Sequence, residues 1–295
     1  MKNKFCLWEK IKKSNFSNEF KNWSLGYKLM FFFGIALLIV DIVLLFYYFW
    51  YHGSRKLGII YGSDEITSLF GNKINENVKG DEAFYPHVLA YMWRQTFTFT
   101  FISNFMMAIT MIITPFKRNN QKSQAWFFAT IIYITVTFLI YWTLIFPTSF
   151  KKGIWSEPAS AIPSLIVHAI NPAFGFAVLI LLRKDIHIKN NQIWLTSVFV
   201  FCYFLFAFIT FWIGDVAIQS LNKNQNVKNI EDKYGTVIYP FLNFKKPFFY
   251  KGGNLAIVII LDILIFVLSI FLTPALGFIW KASLRQTKKT KKYIQ

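Results

Sequence analysis

The segment Asn254–Lys281, NLAIVIILDILIFVLSIFLTPALGFIWK, decides the fold class of this chain. It is uncharged apart from Asp262 and its final lysine, and an α-helix needs roughly 20 such apolar residues to cross about 30 Å of hydrocarbon. Because the backbone N–H and C=O groups at a strand edge find no hydrogen-bond partner in lipid, a segment of this kind is expected to be helical. Five more segments share this character: Tyr27–Tyr51, Leu89–Pro115, Ala125–Phe150, Ala161–Leu182 and Ile193–Ser220. The sequence therefore predicts an all-α, polytopic membrane protein with a six-helix transmembrane bundle over residues 27–281.

Composition supports the same class. The chain has 295 residues, of which 55% are hydrophobic, whereas soluble domains average about 45–50% apolar residues. A net charge of +18 would suggest a nucleic-acid partner in a soluble protein. Here the charges lie between apolar segments, so topology explains them and no nucleic acid is expected. Cys6 and Cys202 are too few for a disulfide framework and lack metal-binding spacing, so neither a metal nor a cofactor is expected.

The distribution of basic residues predicts the orientation. Lys and Arg are more frequent in the N-terminal segment 1–26, in alternate loops and in the tail 282–295 than in the remaining loops. By the positive-inside rule, both termini are expected in the cytoplasm, and the basic tail is expected to contact membrane lipids. The predicted location is the cell membrane. The outer loops His52–His87 and Leu221–Gly253 are long enough to fold over the bundle as a lid, with disordered filler the alternative for the first.

Two predicted spans carry stripes of polar residues. The second span places hydroxyls at helical spacing on Thr96, Thr100, Ser103, Thr110 and Thr114, with Asn104 beside them. Hydroxyls of this kind often serve only to hold helices together. The fourth span carries Ser164, His168, Asn171 and Gly175 at the same spacing, and Pro172 frees a backbone carbonyl near His168. Ionisable groups at membrane depth usually face a bundle interior or a wet cavity.

The predicted depths bring the two stripes together. His168 lies seven residues, and Thr100 eleven residues, from the outer ends of their spans, or about 10 and 16 Å at about 1.5 Å per residue. Asp41 and Asp262 lie at similar depths, and Arg94 lies nearer the outer edge. A threonine and a histidine that share a cavity can form a nucleophile and its base. For Asp41, Asp262 and Arg94, structural ion pairing is the simpler interpretation.

Three motifs resemble those of a known family. Residues 99–104, FTFISN, resemble an F-T-x-x-S-N signature in bacterial six-span membrane proteins, and residues 168–172, HAINP, resemble their H-x-x-x-P. Residues 239–242, YPFL, resemble their Y-P-F-L-D, with Asn243 standing at the aspartate. Those bacterial and mollicute proteins of unknown function are similar to the androgen-induced family of intramembrane threonine hydrolases. The resemblance implies a six-span fold, a nucleophile at Thr100 and a catalytic histidine at His168.

Three functions are consistent with these residues. The first is hydrolysis of a lipid acyl ester by Thr100 and His168, with Ser103, Asn104, Asn171 and Tyr239 contributing to substrate binding. The second is a non-enzymatic membrane carrier or binder that uses Asp41, Asp262 and Arg94. The third is a structural subunit of a membrane assembly, in which the polar stripes serve only packing. The sequence leaves the oligomeric state open.

Overall fold

The computed structural model describes residues 17–51, 88–151, 153–222 and 236–284. These ranges form helices and no strand. Six helices are long and apolar enough to cross a membrane, and we call them spans one to six: Leu25–Trp50, Phe99–Lys117, Gln121–Lys151, Pro158–Leu181, Asn190–Gln219 and Leu255–Ser283. The predicted all-α bundle of six spans is confirmed, as expected of a multi-pass membrane protein. The segment 1–16, the loop 52–87 and the tail beyond residue 284 lie outside the described residues, and the orientation of the termini stays a prediction.

Spans two and three form the centre of the bundle. In their most apolar windows, 61% and 56% of the residues are buried, against 11% in span six. Span two packs between spans one and three, and span six packs against spans five and three. A large apolar core joins these helices, with fully buried members that include Met30, Met107, Phe127, Ile131 and Leu179. The apolar outer faces of spans one, five and six are exposed, as expected for helices that face lipid.

The second span begins later than the sequence predicts. The expected continuous helix from Leu89 is interrupted: a short helix at Val88–Trp93 passes into a 3-10 turn at Arg94–Phe97, and the long helix starts only at Phe99. Thr98 is extended and caps this helix, since its hydroxyl oxygen accepts the Phe101 N–H at 3.3 Å. Threonine and phenylalanine are weak helix formers, and threonine is a favoured N-cap, so the alternating Thr-Phe run breaks the helix here.

Most hydroxyls of the predicted stripe do join helices together. The Ser103 hydroxyl lies 2.9 Å from that of Thr137 in span three, and the Thr110 hydroxyl lies 3.0 Å from that of Thr130. Ser103 also donates to the Thr100 carbonyl at 3.0 Å, one turn back on its own helix. Thr96 is the exception, because it lies in the 3-10 turn before the helix and is not buried.

Spans three and four each contain one wide turn of π-helix. These turns are Tyr141–Ile145 and Ile166–Ile170, and in each case a proline follows after one further residue, at Pro147 and Pro172. Proline has no N–H to donate and its ring crowds the preceding turn. The regular backbone hydrogen bonds of the helix are therefore interrupted there. π-Turns leave carbonyls open to other partners and are frequent at functional sites.

Residues 236–250, which we call the outer segment after the predicted orientation, fold against one end of spans three, five and six. Its side chains Val237, Phe241, Leu242 and Phe244 are buried in a second apolar cluster with Phe211 of span five. An ion pair holds the same segment to span five, since Lys245 Nζ lies 2.6 Å from Asp215 Oδ1. The outer segment therefore closes this end of the bundle.

Candidate functional site

The helix that carries Thr100 starts inside the protein, and three hydroxyl oxygens cap it. Its first backbone N–H, from Phe99, donates to the Tyr203 hydroxyl at 2.9 Å. The second, from Thr100, donates to the Tyr239 hydroxyl at 3.1 Å, and the third is bound by Thr98. Backbone N–H groups at a helix start have no partner in the helix, so a buried start needs such acceptors. Span five and the outer segment thus fix the position of Thr100.

The Thr100 hydroxyl is paired with Tyr239. Its Oγ1 lies 3.2 Å from the tyrosine oxygen, and either group can be the donor. Burial raises the pKa of the Tyr239 hydroxyl above its usual range, which keeps the phenol protonated at neutral pH. Tyr239 therefore has a proton to donate to Thr100 while it accepts the Thr100 N–H.

A narrow cavity with about 20 Å³ of room for the centres of water molecules lies beside this pair. It lies between spans two, three and five under the outer segment, and apolar side chains provide most of its wall. Four lining residues carry hydroxyls: Thr100, Thr137, Tyr203 and Tyr239. A cavity of this size holds about one water molecule. It must widen before an apolar chain can place a polar group next to Thr100.

His168 sits in the π-turn of span four and is almost entirely buried. Its imidazole stacks on the Tyr141 ring with the ring centroids 3.6 Å apart. Its backbone carbonyl, which lies four residues before Pro172, accepts the Trp142 indole N–H at 3.0 Å. The prediction that Pro172 frees a carbonyl near His168 is consistent with this bond. The imidazole Nδ1 is buried and has no hydrogen-bond partner among the described residues.

Asn104 connects the two halves of the candidate site. Its amide donates to the Thr100 carbonyl at 2.8 Å and to the carbonyl of Val167, the neighbour of His168, at 3.2 Å. Its Oδ1 accepts from the Asn171 amide at 2.8 Å. These bonds join the backbone of Thr100 to the turn that carries His168.

The predicted site residues therefore lie in one region, but their immediate partners differ from the predicted ones. Thr100 and Tyr239 contact each other and line the cavity. No hydrogen bond joins Thr100 to His168, although the structure describes both residues. Ser103, Asn104 and Asn171 form hydrogen bonds behind Thr100 and do not line the cavity.

The ionisable residues of the carrier hypothesis have separate partners. Asp41 accepts from Asn171 at 3.0 Å, and Arg94 donates to the Val237 carbonyl at 3.2 Å. The Oδ1 of Asp262 is buried in span six without a hydrogen-bond partner in the described part of the chain. Over that part, no hydrogen bond or ion pair links any two of the three residues.

Sequence reasoning missed the two aromatic residues nearest the candidate site. Tyr203 caps the Thr100 helix and donates to the Phe97 carbonyl at 2.9 Å, and Tyr141 stacks on His168. A signal was present, because a tyrosine in a long apolar segment must bury its hydroxyl against a partner. Asn243 has a local role: its side-chain oxygen accepts the Lys245 N–H at 3.0 Å, a turn that aspartate can also make.

Comparisons of this chain with protein-family models, with curated proteins and with solved structures found no match. The resemblance to the androgen-induced family therefore rests on the three short motifs. Within the described ranges, no three His, Cys, Asp or Glu side chains are grouped in a way that could hold a metal ion.

Proposed function

We propose that this chain is an intramembrane hydrolase of lipid acyl esters in the cell membrane, with Thr100 as nucleophile and His168 as base. One observation carries the proposal: the Thr100 hydroxyl is held by Tyr239 at the wall of an apolar cavity inside the bundle. The order of the three motifs along the chain agrees with this assignment.

The reaction would proceed in two stages. Thr100 Oγ1 attacks the ester carbonyl carbon while His168 takes the hydroxyl proton, and the histidine then returns that proton to the departing alcohol. Water next attacks the acyl-threonine, gives a proton to His168 and releases the fatty acid. The proton finally returns to Thr100, so the enzyme is regenerated without a co-reactant other than water.

Proton transfer requires the Thr100 hydroxyl to reach His168. A general base acts within hydrogen-bond distance of the proton or through one water, and hydrogen bonds at catalytic sites often tighten only when substrate binds. Rotation of Thr100 away from Tyr239 would provide the direct route. Asn104 supports either route, because it fixes the backbone of Thr100 relative to the turn of His168.

One hydroxyl is available to the oxyanion that forms on the ester carbonyl. Tyr239 lines the cavity next to Thr100, whereas the Tyr203 hydroxyl already donates to the Phe97 carbonyl. Donors fixed in a water-poor site stabilise such a charge more strongly than donors in water. The predicted donors Ser103 and Asn104 are bound to backbone carbonyls, so we assign them to positioning Thr100 and assign Asn171 to positioning Asn104.

The substrate class follows from the cavity walls. An acyl chain that widened this narrow cavity would contact apolar side chains from spans two, three and five, and no charged side chain lines it. A lipid ester that enters from the outer half of the bilayer fits these walls better than a charged, water-soluble ester. Membrane lipids and one such ester are the expected partners.

The test is hydrolysis of acyl esters in mixed micelles by the purified full-length chain. A chromogenic medium-chain ester and a fatty acid ester of a hydroxy fatty acid would serve as substrates. Thr100→Ala and His168→Ala should each reduce turnover by about 100-fold or more. Thr110→Ala is the matched control, because Thr110 is also buried on the same helix but pairs with Thr130 away from the cavity. Wild-type turnover by folded Thr100→Ala would overturn the proposal.

The same variants separate the alternatives. A carrier or binder based on Asp41, Asp262 and Arg94 predicts that Thr100→Ala leaves transport into vesicles nearly unchanged while Asp41→Asn abolishes it. If the chain is a structural subunit, partner proteins should co-purify with it, and no single polar substitution should change its function. The structure does not group the three charged residues, which favours the hydrolase over a charge relay.

A further inference from the structure

Two bonded residues, Asp41 of span one and Asn171 of span four, each keep a buried oxygen without a partner among the described residues. Among the described residues, Asp41 Oδ2, Asn171 Oδ1 and His168 Nδ1 are all buried and lack a hydrogen-bond partner. Asp41 and Asn171 bond directly to each other, and His168 precedes Asn171 by one turn. Folded proteins rarely leave such atoms unsatisfied without a functional or ligand-based reason.

The two unpartnered oxygens are both acceptors. The Asn171 amide nitrogen donates to Asp41 Oδ1 at 3.0 Å and to Asn104 Oδ1 at 2.8 Å, so its hydrogens are already in use. The remaining amide oxygen and the second carboxylate oxygen have no donor. Both side chains are only 1% exposed. A buried carboxylate without a positive partner is costly in a membrane interior.

Among the described residues, no basic side chain forms an ion pair with Asp41. His168 is the one titratable residue within Pro158–Leu181 of span four and its ring stacks on Tyr141, and the helix Phe99–Ile113 of span two carries no titratable residue. On its own helix, Tyr48 lies two turns further out. The described Lys and Arg residues form no ion pair with Asp41. What the site lacks is one positive charge next to two oxygens.

We propose that Asp41 and Asn171 hold one small monovalent cation, either Na⁺ or a proton. Oxygen atoms of carboxylates and amides are the ligands that hard cations prefer. Na⁺ would bind to Asp41 Oδ2 and Asn171 Oδ1, whereas a proton on Asp41 Oδ2 would be donated to Asn171 Oδ1. In both cases one charge satisfies two oxygens. Neither residue lines the cavity, but Asn171 also holds Asn104, so the cation test measures unfolding and ion response and not ester turnover.

The test is the unfolding temperature of the full-length protein in detergent, at constant ionic strength. Choline keeps the ionic strength constant while the Na⁺ concentration is raised from about 1 to about 150 mM. If Na⁺ binds, Tm rises by about 5 °C over this range. If a proton binds, Na⁺ has no effect and Tm falls as the pH is raised, because the folded protein holds a proton that the unfolded chain releases. The Na⁺ response should disappear in Asp41→Asn, and the pH response should become smaller in that variant.

Asp262→Asn is the matched control, since Asp262 also has a buried, unpartnered carboxylate oxygen but lies alone in span six. That variant should keep the wild-type response. If Asp41→Asn does not fold, two measurements on the wild-type protein replace that variant. Calorimetric titration with NaCl detects Na⁺ binding, and the infrared band of a protonated carboxyl group, followed against pH, detects the proton. A wild-type protein that responds to neither Na⁺ nor pH, or a response that is as large in Asp41→Asn as in the wild type, would overturn the proposal.

Discussion

The imidazole of His168 and the ring of Tyr141 lie parallel, with their centroids 3.6 Å apart and their planes inclined by 9°. Each residue belongs to a π-turn, and each turn is followed closely by a proline. The Tyr141 hydroxyl is anchored at 2.6 Å to Ser164, also in span four. Two irregular helical turns thus fix the ring plane of the histidine.

We expect Tyr141→Leu to lower ester hydrolysis by about tenfold, which corresponds to the ~0.5–1.5 kcal/mol attributed to an aromatic pair. The loss should lie in kcat rather than KM, because Tyr141 positions the base and does not line the cavity. Tyr141→Phe keeps the stacked ring and is the control. An equal loss in both variants would locate the effect in the hydroxyl instead of the stack.

Tyr239→Phe should destabilise the protein by about 1–3 kcal/mol, because the Thr100 N–H then loses its acceptor in a buried position. The Thr100 hydroxyl loses its partner as well, so turnover should also fall. Chemical denaturation measures the first effect and the ester assay the second. Tyr250→Phe, a half-buried tyrosine in the same outer segment, serves as the control and should behave as wild type.

Gly34→Ala should separate spans one and two. A Cβ at this position would lie 2.9 Å from the Ile112 backbone nitrogen, which cannot move without its helix. Overpacking of this kind costs about 1–3 kcal/mol, against a gain of about 0.5–1 kcal/mol from the better helix propensity of alanine. Thermal unfolding should show a net loss.

The control for that substitution is Gly26→Ala in the same helix. Its Cβ would meet the end of the flexible Leu182 side chain at 2.8 Å, and that side chain can turn aside. We expect a stability close to that of the wild type. An equal loss of stability in both variants would mean that the close contact between Gly34 and the Ile112 backbone does not cause the loss.

Lys245→Met should loosen the outer segment over the cavity. The ion pair with Asp215 joins a partly exposed lysine to a buried aspartate, so its removal should cost more than the ~1 kcal/mol of an exposed pair and less than the ~3–5 kcal/mol of a buried one. Hydrogen exchange of the backbone at residues 237–244 should become faster, while exchange in span three stays unchanged. Lys251→Met, at an exposed position just after that segment, should leave exchange as it is.

The six spans could be predicted because long apolar segments have few alternatives in lipid. The helix start at Phe99 was missed for a local reason. Hydropathy averages over about 20 residues and does not register one extended threonine that caps a helix. The three consecutive hydroxyl caps could not be foreseen, since they need Tyr203 and Tyr239 from distant parts of the chain.

The sequence also singled out several residues of the candidate site, but not their partners. Polar residues at helical spacing identified Thr100, Asn104, His168 and Asn171, which the hydrogen bonds of Asn104 bring into one region. Their individual partners were not predictable, because the order of helices in a bundle cannot be derived from one chain. The pairing of Thr100 with Tyr239, rather than with His168, is a property of the packing.

Covalent labelling tests the central claim most directly. The folded protein in detergent would react with a fluorophosphonate probe, and mass spectrometry of its peptides would locate the adduct. The hydrolase account predicts an adduct on Thr100 that is lost in His168→Ala and kept in Thr110→Ala. A folded protein without an adduct on Thr100, or one labelled there equally in His168→Ala, would contradict it.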